Sequence, residues 1–237
     1  PLCVPATPPQ MLQDAIAGLQ AHGLRAGLSV LSSAAYVPPV VEQRAGSRRF
    51  LRATALFRMM DEDWHYFMIV LRAAACVWFD WGITHFDLDL EGGLEEGLNS
   101  TRLSQLLQAL RFNGSLVSVT TELPTLTSYR HVLLTSPHRP DRIQLMLFDY
   151  SEPLPRALVA VQELSRSSGY PLAQFALGFK PKCGGQSALK MLADARQVAD
   201  AGAGIFLWNL GRDFPCAAGA GCVEGGDGEE SGCSANA

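Results

Sequence analysis

Three acidic side chains, Asp87, Asp89 and Glu91, alternate along one short stretch of the chain. In an extended strand, alternate residues share a face, so the three carboxyl groups lie on one side of the strand. Neighbouring acids on that face are about 6.6 Å apart, which is two residues at a rise of about 3.3 Å. Repulsion at this spacing predicts that at least one of them has a raised pKa and holds a proton near neutral pH. A protonated acid beside an ionised one is suited to general acid catalysis.

The residues between the acids are apolar, and the sequence around them decides between a buried strand and a solvated edge strand. Helical patterns flank the stretch on both sides, and this layout is typical of a parallel α/β sheet with both faces covered. Gly92 and Gly93 end the strand at its carboxyl end, where sites in such folds lie. The context therefore favours an acidic site over a solvated edge.

Strand and helix periodicities alternate from Gln10 to Leu210, which predicts an α/β fold with a parallel sheet. Six strands are predicted: Leu24–Ser33, the acidic stretch, Leu116–Thr121, Asp141–Tyr150, Gln174–Lys180 and Gly204–Leu210. The intervening helices are predicted at Gln10–His22, within Arg48–Trp81, from Asn99 or Ser100, at Leu154–Ser167 and at Ser187–Ala201. The aromatic residues of the second helical region are predicted to be core rather than a sugar platform. In the last helix the predicted inward face is Leu189, Leu192, Ala195 and Val198.

Composition limits the classes of function. The 237 residues are 48% hydrophobic, enough for one large domain, and a (β/α)8 barrel has about 250 residues. The net charge is −4 and the sequence contains no basic stripe, so a nucleic acid partner is not expected. The most apolar run, Trp64–Phe79, contains His65 and Arg72 and is too short to span a membrane. None of the six cysteines forms a CxxC pair, which disfavours zinc or a thioredoxin-like site.

The acidic stretch resembles the signature of glycoside hydrolase family 18, the chitinases and related endo-acting N-acetylglucosaminidases, usually written DGxDxDxE. Asp87, Asp89 and Glu91 match its last three acids. Thr84 and His85 stand where the family has its first Asp and the Gly.

Two downstream segments resemble the same family. Asp141–Asp149 is similar to the sixth barrel strand, which ends in MxYD: Met146 and Asp149 match, and Phe148 stands in the place of the Tyr. Gly204–Asp213 is similar to the eighth strand, and Trp208 falls where the family has the Trp at the floor of the sugar subsite.

The resemblance implies a (β/α)8 TIM-barrel-like domain over residues 1–213. The six predicted strands would be the family's third to eighth, so the barrel is expected to be incomplete and truncated at its N-terminal side. Residues 214–237, rich in Gly, Ala, Ser and Glu, are predicted to be a disordered tail.

The resemblance also implies a retaining, substrate-assisted hydrolase of β-1,4-linked N-acetylglucosamine polymers or glycan cores. Glu91 would protonate the glycosidic oxygen, Asp89 would orient the acetamido group, and Asp87 would share a proton with Asp89. Further contacts with the oligosaccharide are expected from Trp208, Asp149, Met146 and Phe148. No metal or cofactor is required, and the family favours a secreted protein; the oligomeric state is left open.

Two alternatives compete with the hydrolase. The first is a carbohydrate-binding relative without catalytic activity. Phe148 in place of the family's Tyr and the missing first strands would favour it. The second takes the acids as ligands of divalent metals in phosphoryl chemistry. Nothing Gly- or Lys-rich stands nearby to hold a phosphate, which disfavours the second alternative.

Overall fold

In the part of the chain that the structure describes, six parallel strands form one sheet and follow one another in chain order. The computed structural model describes residues 7–30, 60, 62–90, 98–111, 114–146, 153–179 and 188–207. The strands are β1 Ala26–Val30, β2 Ile83–Leu90, β3 Leu116–Thr121, β4 Arg142–Met146, β5 Phe175–Phe179 and β6 Gly204–Leu207. With helices between the strands, this is an α/β fold that resembles an incomplete TIM barrel, as the sequence predicts.

Six α-helices lie within the described residues: α1 Gln10–Ala21, α2 Trp64–Asp80, α3 Ser100–Leu110, α4 Leu123–Ser128, α5 Leu154–Ser168 and α6 Ala188–Asp200. A π-helical turn, His131–Thr135, follows α4, and a 3-10 turn, Leu172–Gln174, precedes β5. None of the helices described is long and apolar enough to cross a bilayer.

Local sequence explains where several helices begin and end. The side chain of Asn99 accepts a hydrogen bond from the backbone N–H of Arg102 at 3.0 Å and so caps the first turn of α3. Asp63 caps α2 in the same way through the N–H of Tyr66. These bonds satisfy backbone donors that a helix leaves unpaired at its start. Gly169 ends α5 in the left-handed conformation, with φ of 70°, which favours glycine.

The two faces of the sheet differ in chemistry. On one face the strands contribute large apolar side chains to the core, and Trp78 of α2 packs against Phe86 of β2 with ring centroids 6.3 Å apart. The helices therefore cover the face of β2 that carries Phe86, Leu88 and Leu90. Because successive strand residues point to opposite faces, the odd-numbered residues of β2 point to the interior of the barrel.

Most of the predicted elements agree with the structure, and one residue of a predicted inward face is wrong. The aromatic residues of α2 are core, since Phe67 and Trp78 are buried. In α6, however, Leu192 is 49% exposed, whereas the sequence predicts it to face inward. The inward stripe runs through Met191, Ala195 and Val198, because an i, i+4, i+7 spacing from Met191 fits the core surface better than the predicted one. The predicted tail, 214–237, lies outside the described residues.

Candidate active site

Asp87 and Asp89 lie on the interior face of the barrel, side by side along β2. The strand pairing places Asp87 opposite Ser118 of β3 and Asp89 opposite Thr120. Asp89 is buried, with 3% of its surface exposed, and Asp87 is partly buried. The two predicted acids that the structure describes therefore share one face, as the alternation predicts.

Three side chains from the two neighbouring strands donate hydrogen bonds to the carboxylate of Asp87. Ser118 Oγ donates to Oδ1, and Thr120 Oγ1 donates to Oδ2 at 2.7 Å. Gln144 Nε2, on β4, donates to Oδ1 at 3.1 Å. The same amide nitrogen lies 3.1 Å from Ser118 Oγ. The carboxylate is thus held from both oxygens in one orientation.

His85 extends this network toward the amino end of β2. Its Nε2 lies 2.9 Å from Ser118 Oγ, so Ser118 stands between the imidazole and the carboxylate of Asp87. The ring also lies against β1, since a methyl group added at Gly27 would come within 3.4 Å of it. An imidazole therefore occupies the interior position two residues before Asp87, where the family signature has glycine.

Burial perturbs both titratable groups of the network. It raises the pKa of Asp87 above its ordinary value, and the hydrogen bonds from Ser118, Thr120 and Gln144 and the nearby His85 only partly oppose this. Burial lowers the pKa of His85; Asp87 and Asp141 oppose that shift, and Arg142 and Arg25 add to it. The sequence predicts a raised pKa within the acidic row, and Asp87 has one. The main physical cause is removal from water rather than repulsion between carboxylates.

Two other residues lie on the interior face: Met146, a predicted site residue, and Ser29, which pairs with Asp87. Met146, at the end of β4, faces Gly178 of β5 across the sheet and is 2% exposed. It therefore lies on the face where a substrate contact was predicted, but little of its surface is accessible. Ser29 of β1 pairs with Asp87, and its buried hydroxyl has no hydrogen-bond partner within the described part of the chain.

The remaining predicted site residues fall outside the described residues: Glu91, Phe148, Asp149 and Trp208. The roles expected for them stay predictions.

Sequence reasoning missed the partners of Asp87, namely Ser118, Thr120 and Gln144. A local signal for them exists, because Ser118 and Gln144 each stand between two aliphatic residues of a strand and Thr120 follows Ser118 at the next alternate position. Polar residues that alternate with a buried apolar set indicate a polar interior face.

Acidic side chains reach the described interior face from one strand, β2. Within the described strands, Asp87 and Asp89 are the acidic residues that face the interior; β4 adds Arg142, Gln144 and Met146 on that face. In the described parts of the chain, no group of three or more His, Cys, Asp or Glu residues is arranged to hold a metal ion.

Comparisons with known proteins found a similar fold but no similar sequence. No protein-family model matches the sequence, and no curated protein sequence does. The structure is similar to the crystal structure of a GH18 chitinase from Pseudoalteromonas aurantia, with a TM-score of 0.64 over 88% of this chain and 78% of that one. This chain has a GH18-like fold. Sequence identity between the two proteins is 13%, so the similarity concerns the fold and not the activity.

Proposed function

We propose that this protein is a glycoside hydrolase that cleaves β-1,4-linked N-acetylglucosamine chains by substrate-assisted, retaining catalysis. The observation that carries the proposal is the pair Asp87 and Asp89 on the interior face of a GH18-like barrel, on the strand that leads into Glu91. The hydrogen-bonded network around Asp87 supports it, because a fixed carboxylate on a polar interior face is costly to build and serves a site.

The arrangement of the acids favours substrate assistance over an enzyme nucleophile. Ordinary retaining glycosidases place two carboxyl groups about 5–5.5 Å apart across the substrate. Here the described strands other than β2 present no carboxyl group to the interior that could oppose Asp87 and Asp89. Since no opposing carboxyl group stands on the described strands, we propose that the carbonyl oxygen of the substrate's own acetamido group attacks the anomeric carbon.

In this mechanism Glu91 gives its proton to the glycosidic oxygen as the bond to the anomeric carbon breaks. Asp89 holds the N–H of the acetamido group and stabilises the positive charge that develops there. Water then attacks the anomeric carbon of the cyclic intermediate, and Glu91 accepts a proton from this water. Asp87, fixed by Ser118, Thr120 and Gln144, sets the charge beside Asp89.

Hydrolysis of a chromogenic N-acetylchitobioside tests the proposal. We expect Glu91→Gln to lower kcat by at least about 100-fold, the contribution typical of a general acid. Glu163→Gln is the matched control, since Glu163 is an exposed residue of α5, away from the strand ends. Equal rates for the native protein and Glu91→Gln would refute a hydrolase that uses this acid.

A non-hydrolytic carbohydrate-binding protein is the second candidate. The imidazole of His85 at the signature's glycine position favours it, because the interior below the acids differs from the family pattern. Calorimetric binding of chitooligosaccharides without turnover would support this candidate. In the hydrolase, Phe148→Tyr restores the hydroxyl of the family motif and should raise the rate about 10- to 100-fold. In a binding protein that lacks the chemistry, the same change should leave turnover absent.

A further inference from the structure

The hydroxyl of Ser118 has one proton and two neighbours that can accept it. Ser118 Oγ contacts Asp87 Oδ1 on one side and His85 Nε2, at 2.9 Å, on the other. When the hydroxyl donates to Asp87, the His85 Nε2 must carry a hydrogen to donate to Ser118. When the hydroxyl donates to His85, the Asp87 carboxyl must carry the hydrogen instead.

Gln144 holds both heavy atoms in place during such a change. Its amide nitrogen, which can only donate, lies 3.1 Å from Asp87 Oδ1 and 3.1 Å from Ser118 Oγ. Thr120 fixes the other carboxylate oxygen. Rearranging the protons therefore requires no movement of the side chains.

From these contacts we propose that Asp87 and His85 share a single proton through Ser118, which makes His85 a positioning residue for the charge on Asp87. In one form the proton is on Asp87 Oδ1 and the imidazole is neutral. In the other, the proton of Asp87 has passed to Ser118 Oγ while the hydroxyl proton of Ser118 has passed to His85 Nε2. The second form contains a carboxylate and an imidazolium, and the total charge is unchanged.

The charges that face His85 set the balance between the two forms. Asp87 on its own strand and Asp141 just before β4 favour the imidazolium. Arg25 before β1, Arg142 on β4 and the burial of the ring disfavour it. Burial is the largest of these influences and lowers the pKa of His85, which favours return of the proton from the imidazolium to Asp87.

The consequence for catalysis depends on the proposed function, in which Asp87 sets the charge beside Asp89. This proton relay, from Asp87 through Ser118 to His85, lets the two titratable groups keep one proton between them while the charge on Asp87 changes. Asp87 can then become ionised when a positive charge develops on the substrate and be neutralised when it is gone.

Titration of the two groups by NMR tests the sharing without any turnover. We expect the imidazole nitrogens of His85 and the carboxyl carbon of Asp87 to report the same two apparent pKa values in the native protein. Ser118→Ala should uncouple them, so that each titrates in one separate step. Ser115→Ala is the matched control: its buried hydroxyl donates to the carbonyl of Leu110, away from the network, and the coupling should persist. Independent single-step titrations in the native protein would overturn the proposal.

The rate of the proposed reaction gives a second readout. His85→Phe fills the same space without a proton site, and His85→Gln keeps a hydrogen-bond donor without titrating. If the relay acts, both lower kcat about tenfold and remove the acidic limb of the pH profile that belongs to the pair. Restoration of the native rate and profile by Gln would show a structural role and overturn the relay. A native protein that shows coupled titration but no hydrolysis would refute the proposed function and leave the proton sharing intact.

Discussion

Replacing Thr120 by Val tests whether Asp87 is an ionised acceptor inside the barrel. The change removes the hydroxyl that donates to Asp87 Oδ2 at 2.7 Å and keeps the volume and the β-branched shape of the side chain. A hydrogen bond to a charged group contributes about 1.5–3 kcal/mol, and one to a neutral group about 0.5–1.5 kcal/mol. The loss of stability in Thr120→Val should therefore be larger by about 1–1.5 kcal/mol where Asp87 is ionised than where it is protonated.

The sign of the pH dependence follows from the pKa of Asp87. Because burial raises this pKa in the folded state, the native protein binds the proton more tightly than the unfolded chain does. The contribution of Asp87 to stability is therefore complete at low pH, below the ordinary Asp range, and is lost as the pH rises through the folded-state pKa. Thr120→Val removes a bond that lowers this pKa, so its effect on the free energy of unfolding should grow over the same rise in pH.

Urea unfolding at a series of pH values between about 4 and 8 measures this difference from the midpoints and m-values. Thr121→Val is the matched control: Thr121 is the next residue of β3, is fully buried, and its hydroxyl lies 3.4 Å from the carbonyl of Leu90 instead of a carboxylate. Its cost should be smaller and the same at every pH. Parallel stability profiles for the two variants would refute the reasoning that Thr120 stabilises an ionised Asp87.

Three further changes test the packing and capping that hold the barrel. Asn99→Ala should lower the free energy of unfolding by about 1 kcal/mol through loss of the α3 cap, while Asn99→Ser should retain most of it; a loss equal to that of Ala would contradict the capping role. Tyr170→Phe removes a buried hydroxyl that donates to the carbonyl of Pro140 at 3.0 Å, and urea unfolding should show a cost of about 1–2 kcal/mol. In α6, Val198→Ala should cost about 1–3 kcal/mol and Leu192→Ala less than about 0.5 kcal/mol by the same measurement; a cost at Leu192 as large as that at Val198 would mean that Leu192 faces inward, as the sequence predicts.

Much of the fold was predictable because its signals are local. Strand alternation and helical periodicity depend on neighbours a few residues away, and they predict the six strands, their order of appearance and the acidic face of β2. They fail where the signal is ambiguous, as in α6, where both Met191 and Leu192 could begin an apolar stripe. Which of them faces inward depends on the shape of the core surface that the helix covers.

The sequence by itself determined that Asp87 and Asp89 share a strand face, because a period of two places alternate side chains on one side whatever else the chain does. Tertiary structure alone decided what surrounds them. Ser118, Thr120 and Gln144 stand 31, 33 and 57 residues from Asp87 in the chain, and strand pairing and register bring them to it. The same pairing takes the carboxylate out of water and places Ser118 between it and His85. The pKa of Asp87 and its proton-sharing partner are therefore properties of the sheet and not of the acidic row.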